Sequence, residues 1–512
     1  MNTIRCVMVA MTAGQLSLAC GQTFNRRYDP FEQDQPQVAW GIDPNGTNGF
    51  MVSGTGYYTD SVYLYILPFI IRLDDTGQPL VVNKMTGGLS SFYVGWANCS
   101  QRTSDGGLII GGSNYRPDDL QNTMLYKFDA NGDSSWVSEF ASGNGQSLIG
   151  RQAIQVNDGG YVVCGEQAET GVIDGFLIKT DDLGNEQWRR YYGGPDYWDF
   201  ATTVDTTVDE GYFIGGASQV SPTNFDMWVL RLTSTGDTIW TTRWGSAFDD
   251  ANAHLSTKAN GNAVIGGNWN YAPEFALNRA YMAELDAVDG SLEWQREYGP
   301  LVNTTSLLTV KEVRTGEGHI GAGFTFEPNT NFFKGFLLRT ADNGDSLWMR
   351  NYFYYDSLMT DGMGEFKDVV PTNDGGFIAC GYTQGAYTGP FPPEYDQDVW
   401  VVKVDSLGCI VPGCDDFSTV VTVQATNLTH AMSVYPNPAG DRTTVKVTLP
   451  AGSPFLEDLQ LRLVSSDGRE VLVQKATLGE NEVSIRGLAA GIHYIHLTSG
   501  STWLSGTKLV VE

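Results

Sequence analysis

Asp158-Gly-Gly-Tyr-Val-Val-Cys-Gly165 is followed, ten residues later, by Phe176-Leu-Ile-Lys-Thr-Asp-Asp-Leu-Gly-Asn-Glu-Gln-Trp188. Each block reads as a turn joined to a short strand. Asp-Gly-Gly demands a flexible backbone, and the apolar run after it has the length and composition of a strand buried on both faces. The second block is an apolar strand, an Asp/Gly hairpin and a strand ending on Trp.

The pair recurs through most of the chain. The first block returns from Asp105 to Gly112, Asp209 to Gly216, Gly261 to Gly267, Gly316 to Gly323 and Asp374 to Gly381, with a degenerate copy from Gly49 to Gly54. Its final glycines fall at 54, 112, 165, 216, 267, 323 and 381, so the steps are 58, 53, 51, 51, 56 and 58 residues. The second block ends on Trp136, Trp188, Trp240, Trp294 and Trp348, and lacks the Trp in its first and last copies. Units of about 50 residues with four strands each and glycine–aromatic punctuation are the signature of propeller blades, whereas the rungs of a solenoid are shorter. The spacing therefore predicts an all-β chain, a seven-bladed β-propeller over residues 30–414. How its ring closes is left open, with Cys409–Cys414 the one short-range disulfide the spacing suggests, at the seam.

The repeat resembles the DGGY-type propeller repeats of secreted proteins from Bacteroidetes-like bacteria. After a polar linker over 415–431 the pattern changes to short alternating strands across 432–512, which predict a small Ig-like β-sandwich. Tyr435-Pro436-Asn437-Pro438, a Ser-Ser-Asp-Gly-Arg hairpin and a turn at Gly491 resemble the type A sorting domain. His493 stands where that family usually carries an aromatic, and the terminal basic patch around Lys508 is thin. The resemblance implies export by the type IX secretion machinery, as partner of this domain, to a secreted or outer-membrane surface-attached location. The N-terminus fits that route through the periplasm: Arg5, an apolar stretch from Val7 and the small-x-small Ala19-Cys20-Gly21 read as a signal peptide over 1–21.

The chain has 512 residues, 59 acidic against 31 basic, and a net charge of −28. That balance excludes nucleic acid and anionic membrane surfaces as partners. With 41% apolar and 12% aromatic residues the chain is not disordered. No later window is apolar enough for a membrane-spanning helix. Nucleophile elbows, zinc-protease helices and phosphate-cradling loops are missing from the sequence, so no catalytic and no metal-ligating residue is assigned and no cofactor is expected. Cys164 and Cys380 read as inert core thiols. The Asp-rich stretches Asp129–Asp133 and Asp342–Asp345 read as hairpin turns, and the acidic charge is compatible with weak calcium binding.

A binding site is expected where loops enter the innermost strands of the ring. Those segments carry Trp96, Tyr197, Trp198, Asp199, Asp249, Asp250, His254, Tyr355 and Asp356, and aromatics beside carboxylates suit stacking on sugar rings and bonding of their hydroxyls. The expectation is a non-enzymatic surface module for glycans or proteins. The alternatives are a hydrolase or lyase with Asp199 and Asp250 as acid and base, or a purely structural surface protein.

Overall fold

The computed structural model describes residues 23–512 apart from 33–34, 47–48, 60–63, 86–90, 117, 119, 170–171, 196, 251–252, 273–276, 301–302, 315, 328–331, 355–362, 385–396, 412–413, 415–425, 429–430, 450–457, 466–469 and 501. The expected signal peptide lies outside the described residues. The described chain is built of β-strands, with no α-helix among its elements.

Seven antiparallel sheets follow one another along the chain before the C-terminal region. The third shows the plan: Ser147–Gln155, Tyr161–Glu169, Val172–Thr180 and Glu186–Tyr192, each paired with the next. Each sheet packs on its successor, and Gln37–Pro44 of the first sheet packs on Phe377–Gln384 of the seventh. The fifth repeat, where Gly261-Asn262 replaces Gly-Gly, keeps the same turn, with Gly261 at φ 94° and its N–H donated to the Lys258 carbonyl at 2.9 Å.

The outer strand of the seventh sheet comes from the other end of the chain. Phe24–Tyr28 pairs with Gln397–Val404, upstream of the expected start at residue 30. The register explains why. Phe24 stands opposite Lys403 as Trp188 stands opposite Lys179, so Phe24 takes the place of the Trp missing from the last repeat. The outer strands share a second contact: Tyr192, Tyr298 and Tyr352 donate their hydroxyls to the carbonyls of Gly236, Gly344 and Gly408 at 2.8, 2.6 and 2.7 Å, and Tyr28 does the same to Gly77 at 2.6 Å.

Those glycines explain the repeat's second block. Gly290 turns its hairpin at φ 73°, and a Cβ there would lie 2.8 Å from Trp240 of the preceding sheet. The glycine thus serves the turn and the seat of the neighbour's indole together. Trp136, Trp188, Trp294 and Trp348 sit likewise on Gly184, Gly236, Gly344 and Gly408, and Phe24 sits on Gly77. A second link ties first block to second within a sheet. Asp105 pairs with Lys127 and Asp158 with Lys179 at 2.8 Å, Asp209 with Arg231 at 2.6 Å, and Asp374 with Lys403. In the fifth sheet the polarity is reversed, with Lys258 on the turn side and Glu284 on the third strand, 2.7 Å apart.

Beyond the seventh sheet, Thr426–Leu428 adds a parallel strand to Ser346–Phe353. Two further sheets follow, Met432–Tyr435, Arg442–Val447 and Gly479–Ser484 in one, Leu459–Ser465, Glu470–Lys475, Gly491–Ser499 and Thr502–Val511 in the other. Val445, Val483, Leu461, Ile495 and Leu509 from the two sheets share one core. Cys409 and Cys414 are bonded, and their loop packs against Trp503 of the last strand.

Candidate functional site

A one-residue insertion recurs in the innermost strands. Register shifts fall between Ala39 and Gly41, Gly150 and Gln152, Ala201 and Thr203, Leu307 and Thr309, and Phe366 and Asp368. The residues skipped are Trp40, Arg151, Thr202, Leu308 and Lys367. A bulge of this kind re-aims a side chain that regular alternation would send into a sheet interface. In the second sheet the innermost strand is broken into Phe92–Val94 and Ser100–Arg102, both pairing with Leu108–Tyr115, and Trp96 lies in the break.

Four of the five re-aimed residues, all but Thr202, line two adjoining cavities. One, of about 330 Å³, is lined by Trp40, Trp96, His254, Asn268, Leu308, Phe324, Glu365 and Lys367 among others. The second, of about 280 Å³, shares Trp40 and Trp96 and adds Tyr93, Tyr115 and Arg151. Trp96 is 49% exposed at the rim. The Arg151 guanidinium lies 4.9 Å from its ring centroid and is paired with Glu166 (Nε to Oε2, 2.9 Å). The Lys367 ammonium lies 5.2 Å from the Trp40 ring and 5.6 Å from the Tyr382 ring, and is paired with Glu365. Trp40 donates its indole N–H to Thr55 at 3.0 Å. Each indole is therefore held with a cation over it, and each cation has its own carboxylate.

Among the described residues, two polar groups of the first cavity have no hydrogen-bond partner. His254 is buried and its Nε2 meets no hydrogen-bond partner; the same holds for Nδ2 of Asn268. Burial, with Lys311 and Lys367 nearby, holds the His254 imidazole down at about 4, so the ring is neutral at physiological pH.

Of the residues singled out in the sequence, Trp96 and His254 are thus brought together. Tyr197 and Trp198 are exposed elsewhere, Trp198 packing edge-on to Phe200 at 6.4 Å and near Phe225 at 6.5 Å. Asp199, Asp249 and Asp250 hold backbone. Asp199 accepts the Gly194 N–H at 2.9 Å and Asp249 the Phe225 N–H at 2.9 Å. Asp250 accepts the N–H groups of Asn270, at 2.6 Å, and Ser246. These carboxylates shape the crossings between sheets. Tyr355 and Asp356 lie outside the described residues.

Trp40, Arg151 and Lys367 escaped the sequence reading because a single inserted residue leaves no mark in an apolar run. The signal available was Gly-Arg-Gln and Phe-Lys-Asp, a long cation inside a strand otherwise read as inner.

The Asp-rich turns close on themselves: Asp129 Oδ1 accepts the N–H groups of Asn131 and Asp133 at 2.8 and 3.0 Å. Among the described residues no group of three or more His, Cys, Asp or Glu side chains is arranged to hold a metal ion. Cys164 is buried and its thiol pushed up to about 12 by burial; burial raises Cys99 and Cys380 as well.

In the C-terminal region the motif residues converge on the last strand. Asn437 donates Nδ2 to the Lys508 carbonyl at 2.7 Å and accepts the Val510 N–H at 2.8 Å, while Thr443 donates to the Pro436 carbonyl at 3.0 Å. Ala439, just past Pro438, donates its N–H to the Val510 carbonyl at 2.9 Å. Tyr435 donates to Glu480 at 2.6 Å, and Gly491 stands opposite Val511.

Residues 433–512 match the secretion system C-terminal sorting domain. The match places the chain among proteins exported through type IX secretion to the cell surface or the extracellular space, with that machinery as the partner of this domain. No helix among the described residues is long and apolar enough to cross a membrane. No curated protein matches the chain. Among solved structures it resembles the quinohemoprotein alcohol dehydrogenase of Comamonas testosteroni (13% identity, 81% of this chain and 72% of that one, TM-score 0.34). It also resembles the Neurospora crassa Pan2 WD40 domain (12% identity, 72% and 89%, TM-score 0.39) and a puromycin hydrolase (14% identity, 69% and 52%, TM-score 0.38). Likeness at this level carries no inference about activity.

Proposed function

We propose that the chain is an exported binding module: a signal peptide over 1–21, a seven-bladed β-propeller whose channel mouth takes a glycan or a protein, and an Ig-like sandwich that directs type IX secretion. The closed succession of seven sheets, first against last, supports the blade count. The observation that carries the binding reading is the convergence of bulged residues from different sheets on one mouth. Five innermost strands carry the same one-residue insertion. Three of the residues it re-aims, Trp40, Leu308 and Lys367, join Trp96 and His254 around a single cavity. Binding is favoured over hydrolysis by Asp199 and Asp250, because both Asp250 oxygens and one Asp199 oxygen accept backbone N–H groups, and the other Asp199 oxygen lies 3.6 Å from the Arg243 guanidinium.

The test is the full chain on an array of glycans and matrix proteins, beside Trp96→Ala and Lys367→Ala variants of unchanged melting temperature. The reading predicts a selective signal that falls about tenfold in each variant, as for loss of an aromatic or charged anchor. Signal unchanged in both variants contradicts it.

A further inference from the structure

Resting on the channel-mouth reading, the geometry points to the ligand class: we infer that the cavity between Trp40, Trp96 and His254 binds a neutral hexopyranose, the terminal ring of a glycan. Four observations bear on this. Trp96 presents an exposed indole at the rim, the surface on which the C–H face of a sugar stacks. At about 330 Å³ the cavity sits at the lower end of ligand pockets, ~300–1,000 Å³, with room for a sugar ring and not for a folded peptide segment.

The third observation is the pair of orphaned groups. His254 Nε2 and Asn268 Nδ2 are buried in the wall and have no hydrogen-bond partner among the described residues. A buried polar group without a partner is costly, so both favour a ligand that supplies hydrogen bonds. Asn268 Nδ2 only donates, whereas a neutral imidazole nitrogen donates or accepts according to its tautomer. A hydroxyl answers either one. The fourth is charge. Lys367 is paired with Glu365 and Arg151 with Glu166 within the wall, so among the described residues the cations that line the two cavities already have carboxylate partners, which favours a neutral ligand over a uronate or a sulfate.

The experiment is saturation-transfer NMR and tryptophan-fluorescence titration of the full chain with methyl β-D-glucopyranoside, methyl β-D-galactopyranoside, methyl α-D-mannopyranoside and glucuronate. Saturable binding of at least one neutral glycoside is expected, tighter than glucuronate and weakened about tenfold in Asn268→Ala and in His254→Ala. Should His254→Ala fail to fold, the surface variant Trp96→Ala serves, with the same expected loss. No saturable binding by any neutral glycoside overturns the inference, as does tighter binding of glucuronate. A protein ligand from the array that still depends on Trp96 also overturns it while leaving the channel-mouth reading standing. Binding that survives both Trp96→Ala and His254→Ala removes both.

Discussion

Asp43 and Asp368 lie buried on the innermost strands of the first and seventh sheets, where they bind across to neighbouring strands. Asp43 accepts the Arg102 N–H at 3.1 Å and Asp368 the Ile42 N–H at 3.1 Å. Burial, then the Asp368 charge, holds the Asp43 carboxyl up at about 7, and burial holds Asp368 up at about 6. A carboxyl raised on folding stabilises the native state below its unfolded pKa of about 3.9 and loses that contribution as pH rises through the folded value. Asp43→Asn keeps the acceptor and removes the titration. Thermal melts should therefore show the variant gaining stability over the native chain between pH 5 and 8, on the order of 1–3 kcal/mol at pH 8, and no gain at pH 4. A constant difference across that range refutes the assignment. The reversed pair of the fifth sheet supplies a second prediction. Lys258→Met leaves Glu284 buried without its cation and should cost about 3 kcal/mol, while Lys258→Met with Glu284→Gln should recover at least half. Urea titrations of both variants check it. Trp96 and His254 were legible at this scale because they lie where loops enter the innermost strands of the repeat. Trp40, Arg151 and Lys367 were not, because the bulge that re-aims them is a relation between two strands.

Hairpins and their order were readable because turn chemistry is local: Asp-Gly-Gly and Asp-x-x-Gly set their own dihedrals, and their spacing delivers four strands per unit. The closing strand was not readable that way, since no turn joins Phe24–Tyr28 to its partner more than 370 residues on. Its trace was chemical. Phe24-Asn-Arg-Arg-Tyr28 repeats the aromatic spacing of Trp188 with Tyr192, Trp294 with Tyr298 and Trp348 with Tyr352. If this strand closes the ring through the repeat's own contacts, Phe24→Ala should cost about 3 kcal/mol, comparable to Trp188→Ala, and Tyr28→Phe about 1 kcal/mol. Unfolding midpoints of the three variants decide the matter. A Phe24→Ala chain as stable as the native one would show that the strand is dispensable.

Across the whole molecule, two parts with different duties share one chain. The motif around Asn437 was legible from residue identity alone, but its clasp on the last strand was not, because Asn437 and Lys508 are 71 residues apart. Asn437→Ala removes both bonds to that strand. In a host with the type IX machinery it should lower the surface or released fraction about tenfold while leaving the melting of the propeller region unchanged, as cell fractionation and calorimetry would read. Trp503 donates to His496 Nδ1 at 2.7 Å and packs on the Cys409–Cys414 loop, which joins the sorting domain to the end of the repeat region. On the proposed reading, inner-strand bulges build a ligand site at the channel mouth. Its most direct test is a crystal structure of the full chain soaked with the strongest ligand from the array. Ligand density is expected between Trp40, Trp96 and His254, with a polar ligand atom within hydrogen-bonding distance of His254 Nε2 or Asn268 Nδ2. Density seated instead on the Trp198 and Phe225 patch, with the mouth unchanged, would contradict it.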